Sequence, residues 1–239
     1  MVQINGESRL EESISQGVYR ELFNRILTGE LPPGSVVSEK QLADMLGVSR
    51  TPVHNAVLQL VKDGLVTQEA NHRPVIGRVS ESDVEEIFDM RRLLEGEAAR
   101  RAASRADRAT LARLRAAADS LAKEGKRAGA LARWADFDDL FHDAIAAACG
   151  SSRLAADIQR YRMVHHALNR LRMTENLIPQ ALREHVAILS ALEARDPERA
   201  AAAMDEHLCE WKAFYLQQFT QRQAIAAPRA RAARASTLR

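Results

Sequence analysis

The sequence of 239 residues contains few cysteines and few aromatic side chains. Its two cysteines, Cys149 and Cys209, form neither a zinc-finger spacing nor a disulfide framework, which favours a reducing compartment. Aromatic residues make up only 5% of the chain, whereas alanine, leucine and arginine abound, as is typical of a mostly helical protein. The N-terminus lacks an apolar signal core, and no run of about 18 apolar residues occurs. We therefore expect a soluble, cytoplasmic protein with no membrane partner.

Catalytic signatures are also missing. The sequence has no HExxH motif, no serine–histidine–acid order and no glycine-rich phosphate loop, so we predict that the protein is not an enzyme. Residues 211–239 carry six basic side chains and no acidic one. Because residues 222–239 are also poor in large apolar side chains, we predict that this basic tail is disordered. It either attracts phosphate in a salt-sensitive way or acts only as a solubilising end.

The first 79 residues combine helical patterns with two short strand patterns. Apolar spacing predicts a helix over 11–28, and "SEKQLADMLG" predicts a second helix that Ser38 caps and Gly47 ends. A third helix follows, with Ser49 as its expected cap. The runs "LVTQEA" and "PVIGRV" then predict a hairpin. This order is that of a winged helix-turn-helix, which predicts a DNA-binding domain over residues 1–79.

From residue 80 onward the pattern predicts helices only. Their expected positions are near 82–104, 107–124, 129–148, 152–173, 177–195 and 197–221. Asp107 and Asp196 are the expected N-cap residues of the second and the last of these helices. The predicted fold class is therefore mostly α, an N-terminal winged helix-turn-helix followed by an all-helical bundle over residues 80–221 that serves as the effector domain.

The residues expected to read DNA lie at the start of the third helix, because that part of a helix-turn-helix contacts base edges. They are Ser49, Arg50, Thr51, His54 and Asn55. Arg50 can bind guanine with two hydrogen bonds, and Asn55 can pair with adenine. Lys40 suits a phosphate, while His72 and Arg73 at the hairpin tip can enter the minor groove. From spacing alone, a small helical subdomain with a solvated polar face is an alternative.

The stretch "LTGELPPGSVVSEKQLADMLGVSRTPVHNAVLQLVKDGLV" resembles the DNA-binding domain of GntR-type bacterial transcription regulators. This resemblance implies a homodimer that binds two half-sites of a near-palindromic operator in double-stranded DNA. The family usually has arginine and glutamate after "SRTPV", where this chain has His54 and Asn55. We therefore expect an operator that departs from the usual consensus.

Three histidines of the helical region, His142, His185 and His207, fall on core-facing stripes of three predicted helices. Asp138 lies one turn before His142 on the same face. A single histidine of this kind is more often a core side chain bonded to a carbonyl oxygen than a ligand. Three histidines with a carboxylate favour a divalent ion, Zn²⁺, Ni²⁺ or Mn²⁺, because a bound cation relieves the buried polarity.

Three further stretches, "SESDVEEIFDMRRLLEGEAARRAA", "DFDDLFHDAIAAACGSSRL" and "REHVAILSALEARDPERAAAAMDEHL", resemble the FCD effector domain of the FadR subgroup. The resemblance implies that Asp138, His142, His185 and His207 bind a metal ion. Ser151 stands where the family often has asparagine.

The same resemblance implies that the protein responds to a small carboxylate metabolite held by an arginine of the first effector helix. Arg91 matches that arginine, although it can instead pair with Glu95 on a solvated face. His165 lies on a predicted inward stripe and lines either the pocket or the core. Glu184, directly before His185, is expected to point away from the metal.

These features predict a metabolite-responsive transcription regulator, a repressor by family resemblance, that senses a small organic acid at a divalent-metal site. Two alternatives stay open from the sequence. One is a metal-dependent enzyme tethered to DNA, since catalytic metals also keep open coordination positions. The other is a regulator whose metal is purely structural and which senses no small molecule.

Overall fold

The computed structural model describes residues 5–69, 72–78, 80–125 and 127–236, with the side chains of 5–13, Leu27, 163–172 and 218–236 left out. The chain divides into two units, residues 1–80 and 81–239. Within the described part, every helix is too short or too polar to cross a lipid bilayer.

The N-terminal unit has the winged helix-turn-helix arrangement that the sequence predicts. Its elements are α1 (Asn5–Thr28), α2 (Glu39–Leu46), α3 (Arg50–Lys62), β1 (Val66–Thr67) and β2 (Val75–Ile76). The strands are antiparallel, with Val66 opposite Ile76. Helix α1 packs against α3. The shared core consists of apolar side chains of both helices: Val18, Leu22, Phe23, Ile26, Val53, Ala56, Val57 and Leu60.

Local chemistry sets the ends of α2 and the start of α3. Ser38 Oγ accepts a hydrogen bond from the Gln41 N–H, and Gly47 ends α2 at φ 67°, where a side chain is disfavoured. Ser49 lies at the N-cap position of α3, but its side chain makes no capping hydrogen bond. The prediction that it caps the helix was wrong, because the third helical residue is Pro52, which has no N–H to donate.

The C-terminal unit contains six helices in its described part, which confirms the predicted helical bundle. They are α4 (Glu81–Arg105), α5 (Arg108–Glu124), α6 (Ala130–Ala148), α7 (Ser152–Arg172), α8 (Ile178–Glu193) and α9 (Pro197–Ser236). Two aspartates cap their helices as sequence reasoning expects. Asp107 accepts from the Thr110 N–H at 2.7 Å, and Asp196 accepts from the Arg199 N–H at 3.0 Å. Among the described elements, α4 and α9 pack against each other most extensively.

The end of α9 differs from the sequence prediction. The helix continues to Ser236, whereas the pattern predicted a helix ending near 221 and disorder over 222–239. Alanine and arginine dominate this segment and both favour a helix, whereas Pro228 within it does not. Residues 237–239 lie outside the described residues.

Candidate metal centre and DNA-reading surface

Helices α6, α8 and α9 each bring one buried histidine to a common point. His142 is 1% exposed, His185 0% and His207 3%. One ring nitrogen of each lies within 4.8 Å of the other two. The ring centroids of His185 and His207 are 4.7 Å apart. This cluster could hold a metal ion.

Each of these histidines donates its Nδ1 hydrogen to an oxygen atom. The acceptors are Glu95 for His142 at 2.6 Å, the Ala181 carbonyl for His185 at 2.8 Å, and Glu184 for His207 at 2.8 Å. Because these oxygens accept hydrogen bonds, each Nε2 keeps its lone pair. The Nε2 atoms of His142 and His185 are buried without a hydrogen-bond partner. A fixed Nδ1–H with a bare Nε2 is the arrangement of metal-binding histidines.

Burial favours the neutral form of two of these imidazoles. It lowers the pKa of His142 well below its usual value, helped by the charge of Arg162 and opposed by Glu95. Burial likewise lowers the pKa of His207, although Glu184 acts in the opposite direction. Neutral imidazole is the form that coordinates metals.

These lowered pKa values predict that the metal-free helical unit loses stability in mild acid. Below about pH 6.5 the unfolded chain binds protons that the folded unit excludes, so the free energy of unfolding falls as pH falls. For His142 the expected slope is up to about 1.4 kcal/mol per pH unit. This dependence on pH is measured by urea unfolding of the EDTA-treated protein. The fluorescence of Trp134 and Trp211, which both lie in this unit, reports the unfolding. A midpoint equal at pH 7.5 and 5.5 would contradict the prediction.

Asp138 lies at the same point as the histidines. Its Oδ1 is 3.2 Å from His185 Nε2 and 3.8 Å from His142 Nε2. The side chain is 3% exposed, and its Oδ2 accepts a hydrogen bond from Arg162 Nη2 at 3.1 Å. The structure therefore groups the three nominated histidines and places the fourth nominated ligand, Asp138, beside two of them.

Arg91 pairs with Glu95, as the alternative interpretation proposed, but that interpretation was wrong about a solvated face. Arg91 Nε donates to Glu95 Oε1 at 2.7 Å, and the two side chains are 0% and 3% exposed. The pair is buried because α4 packs against both α6 and α9. Burial acts to raise the pKa of Glu95, yet Arg91 and His142 together hold it well below its usual range. Both terminal nitrogens of Arg91 lack a partner.

Arg162 is a buried residue of this site that sequence reasoning missed. It is 1% exposed, and its Nε and Nη1 have no hydrogen-bond partner. Tyr161, the residue directly before it, is only half-buried. The sequence did contain a signal for the burial of Arg162, because this residue follows the buried Ile158 by one helical turn. The side chain of His165 lies outside the described residues.

The prediction for Glu184 was also wrong. The sequence predicted that it points away from the histidine cluster, whereas its Oε2 accepts hydrogen bonds from His207 Nδ1 at 2.8 Å and Trp211 Nε1 at 2.9 Å. The reason is that α9 packs beside α8. Consecutive residues of α8 therefore face two parts of one site, with His185 in the cluster and Glu184 against α9.

The residues nominated for DNA reading all lie on the surface of the N-terminal unit. They are Lys40, Ser49, Arg50, Thr51, His54, Asn55 and Arg73, each of which is exposed. The opposite side of α3 is buried through Val53 and Ala56, so the polar side of the helix is its outer side. Glu39, which sequence reasoning missed, contacts this surface through His54 at 2.8 Å.

An exposed polar recognition helix with a wing defines a DNA-binding unit. The following helical unit carries a buried histidine cluster that could hold a metal ion. Together they define a two-unit, DNA-binding transcription regulator.

Comparison with known families agrees with this class. The model described as "Bacterial regulatory proteins, gntR family" matches residues 14–73, and the FCD domain model matches residues 86–209. The chain belongs to the GntR family of transcription regulators, in the FadR subgroup whose effector domain is an FCD domain.

The chain is similar to regulators from several bacteria. It is 33% identical over 150 residues to an uncharacterized HTH-type transcriptional regulator of Agrobacterium vitis, covering 62% of this chain and 87% of that protein. It is 30% identical over 200 residues to the HTH-type transcriptional repressor GlaR of Escherichia coli K12, covering 80% and 90%. Its fold is similar to that of E. coli McbR/YncC, with a TM-score of 0.68 at 23% identity over 86% and 98% of the chains. The A. vitis and GlaR relatives are transcriptional regulators, as the sequence predicts, and not enzymes.

Proposed function

We propose that this chain is a homodimeric, metal-containing repressor that senses a small carboxylate metabolite. In this proposal residues 1–79 read DNA and residues 80–221 bind the metal and the metabolite. The observation that carries it is the pair of buried, partnerless Nε2 atoms of His142 and His185 beside the carboxylate of Asp138. Neutral imidazole and carboxylate form a ligand set for Zn²⁺, Ni²⁺ or Mn²⁺.

The proposed ligands are Asp138, His142, His185 and His207. When bound, the ion supplies positive charge and open coordination positions for a carboxylate oxygen. The chain supplies orientation, because the Nδ1 acceptors of the three histidines fix each ring with its Nε2 directed into the cluster.

The proposed metabolite site is formed by Arg91, which the sequence nominates, and Arg162. Each guanidinium is buried and has two nitrogens without a hydrogen-bond partner. A buried donor without a partner is costly, and a guanidinium matches a carboxylate with two parallel hydrogen bonds. Each arginine has two nitrogens that can bind one carboxylate group. We therefore expect an acid with two carboxylate groups to bind more tightly than an acid with one. His165 stays a nominated pocket residue.

Operator binding is proposed to need two copies of the chain. A two-fold symmetric dimer presents two recognition helices to the half-sites of a near-palindromic operator. A metabolite bound in the helical unit then lowers operator affinity, so that repression is relieved.

Arg50 provides the direct test of the DNA contacts. Its side chain is 71% exposed and can donate two hydrogen bonds to guanine, so Arg50→Ala is expected to lower operator affinity by about 1–3 kcal/mol. The measurement is selection of genomic fragments by the wild-type protein at a stated salt concentration with Zn²⁺, followed by titration of the selected site with each variant. Enrichment of palindromic sites is the expected result.

The control is Lys40→Ala. If Lys40 contacts phosphate, its loss weakens binding to all sequences equally and lowers the salt slope by about 1. Unchanged operator affinity in Arg50→Ala would remove Arg50 from the recognition surface.

A further inference from the structure

Glu39 begins α2 and extends to α3, the helix whose residues are proposed to read DNA. Its Oε1 lies 2.8 Å from His54 Nδ1, and its Oε2 lies 3.9 Å from Arg50 Nη2. The side chain of Glu39 is 23% exposed, whereas His54 is 53% exposed and Arg50 71%. The carboxylate thus contacts Nδ1 of His54 and lies near the terminal Nη2 of Arg50, while more than half of each of these two side chains stays exposed.

The contact determines which nitrogen of His54 carries the hydrogen. A carboxylate accepts hydrogen bonds and donates none, so the hydrogen between Glu39 and His54 belongs to Nδ1. In the neutral form of the ring, which has only one N–H, this places the lone pair on Nε2. One turn earlier, Arg50 offers only donors. At these two positions, on adjacent turns of the recognition helix, Arg50 therefore presents a donor and Nε2 of His54 an acceptor.

The major groove distinguishes these two properties. The exocyclic amino groups of adenine and cytosine donate hydrogen bonds, while N7 and O6 of guanine accept them. We infer that Glu39 is a positioning residue for base specificity, because it holds the Nδ1–H tautomer of His54 and so makes Nε2 read the amino group of adenine or cytosine. An arginine at this position would present donors and favour guanine instead. This inference rests on the proposed DNA contacts of α3.

The charge of Glu39 gives a second expectation. A carboxylate beside a surface that binds phosphates opposes DNA binding of any sequence. In Glu39→Gln the side chain keeps its size but loses this charge. Its amide can also donate to Nδ1, which releases the tautomer. We expect Glu39→Gln to bind unrelated DNA more tightly and to discriminate less between bases.

The first experiment locates the base pair read by His54. The full-length wild type and His54→Ala each select sites from a random-sequence library, and the position that loses its preference in the variant is the one read. Synthetic operators then carry purine in place of adenine, or 2-pyrimidinone in place of cytosine, at that position. Loss of the amino group is expected to weaken wild-type binding about fivefold or more and to leave His54→Ala nearly unchanged. The 7-deaza analogue of the purine in that pair, which removes an acceptor, leaves wild-type binding nearly unchanged.

The opposite pattern would overturn the inference. If the 7-deaza analogue weakens wild-type binding and loss of the amino group does not, His54 donates to the base. If His54→Ala keeps every base preference while Arg50→Ala loses one, the DNA contacts stand and this inference fails. If the wild type selects no sequence, the proposed DNA contacts fail with it.

The second experiment tests Glu39 itself. Asp44→Asn is the matched control, because Asp44 is an exposed acid on the same helix. Both variants lose one negative charge, so both are expected to bind unrelated DNA more tightly. Only Glu39→Gln is expected to bind the intact operator and the operator without the amino group with nearly equal affinity. Full discrimination by Glu39→Gln would show that another group orients His54.

Discussion

Replacing His185 with alanine is expected to abolish the thermal stabilisation that Zn²⁺ gives the wild-type protein. A ligand present at 100 times its dissociation constant stabilises a folded state by about 2.7 kcal/mol, or roughly 5–10 °C in Tm for a chain of this size. His185 has no exposed surface, and its Nε2 has no hydrogen-bond partner. The imidazole therefore contributes a lone pair that no neighbouring side chain replaces.

The measurement is thermal unfolding of each protein after EDTA treatment, with and without added Zn²⁺. The comparison is made within each variant, so a general loss of stability in His185→Ala does not affect it. His72→Ala is the control, because His72 is exposed in the N-terminal unit, and this variant is expected to keep the full shift. An equal shift in His185→Ala would place the metal elsewhere.

The same assay tests the metabolite site. Succinate and acetate serve as probes with two carboxylate groups and one. A further rise in Tm with succinate is expected only in the metal-loaded wild type, and acetate is expected to give a smaller rise. Equal stabilisation with and without metal would contradict a metal-dependent carboxylate site.

Replacing Glu95 with alanine is expected to lower the free energy of unfolding of the helical unit by about 3–5 kcal/mol, as is typical when one partner of a buried ion pair is removed. Glu95 bonds Arg91 through one oxygen at 2.7 Å and His142 through the other at 2.6 Å. Its loss leaves Arg91 with a full positive charge at 0% side-chain exposure and without any hydrogen-bond partner.

Urea unfolding of the metal-free protein measures this effect, and an exposed ion pair provides the control. Arg100 and Glu198 are 2.8 Å apart, but Glu198 is 78% exposed, so Glu198→Ala is expected to change stability very little. The double variant Arg91→Met with Glu95→Leu is expected to recover part of the loss, because it leaves no unpaired charge, although the Nδ1–H of His142 still loses its acceptor. A small effect of Glu95→Ala alone would mean that water reaches Arg91.

Features that depend on neighbouring residues in the chain were predictable. Asp107 and Asp196 marked helix starts because an N-cap is a local contact. Apolar spacing placed His142, His185 and His207 on buried faces because a helix with one apolar face has a fixed period. No partner helix had to be known for these predictions.

The contacts between helices were not predictable in this way. The apolar face of a helix shows which residues are buried, but it does not show which neighbouring helix covers them. Glu95 and Glu184 therefore went unrecognised as the acceptors for two of the histidines. Arg162 was missed because the position of the buried Ile158 fits both a residue three places later, Tyr161, and one four places later, Arg162. Arginine side chains are so rarely fully buried that the residue type alone argues against placing Arg162 in a core.

Glu95 also connects a proposed metal ligand with a proposed metabolite-binding residue, since it bonds His142 with one oxygen and Arg91 with the other. If Nε2 of His142 binds the proposed cation, its Nδ1–H would become a stronger donor and would draw Glu95 away from Arg91. The guanidinium would then be freer to bind the proposed carboxylate, and the factor by which one ligand favours the other would be the same in either order. For the proposed repressor, the supply of metal in a cell would therefore set the metabolite concentration at which repression is relieved.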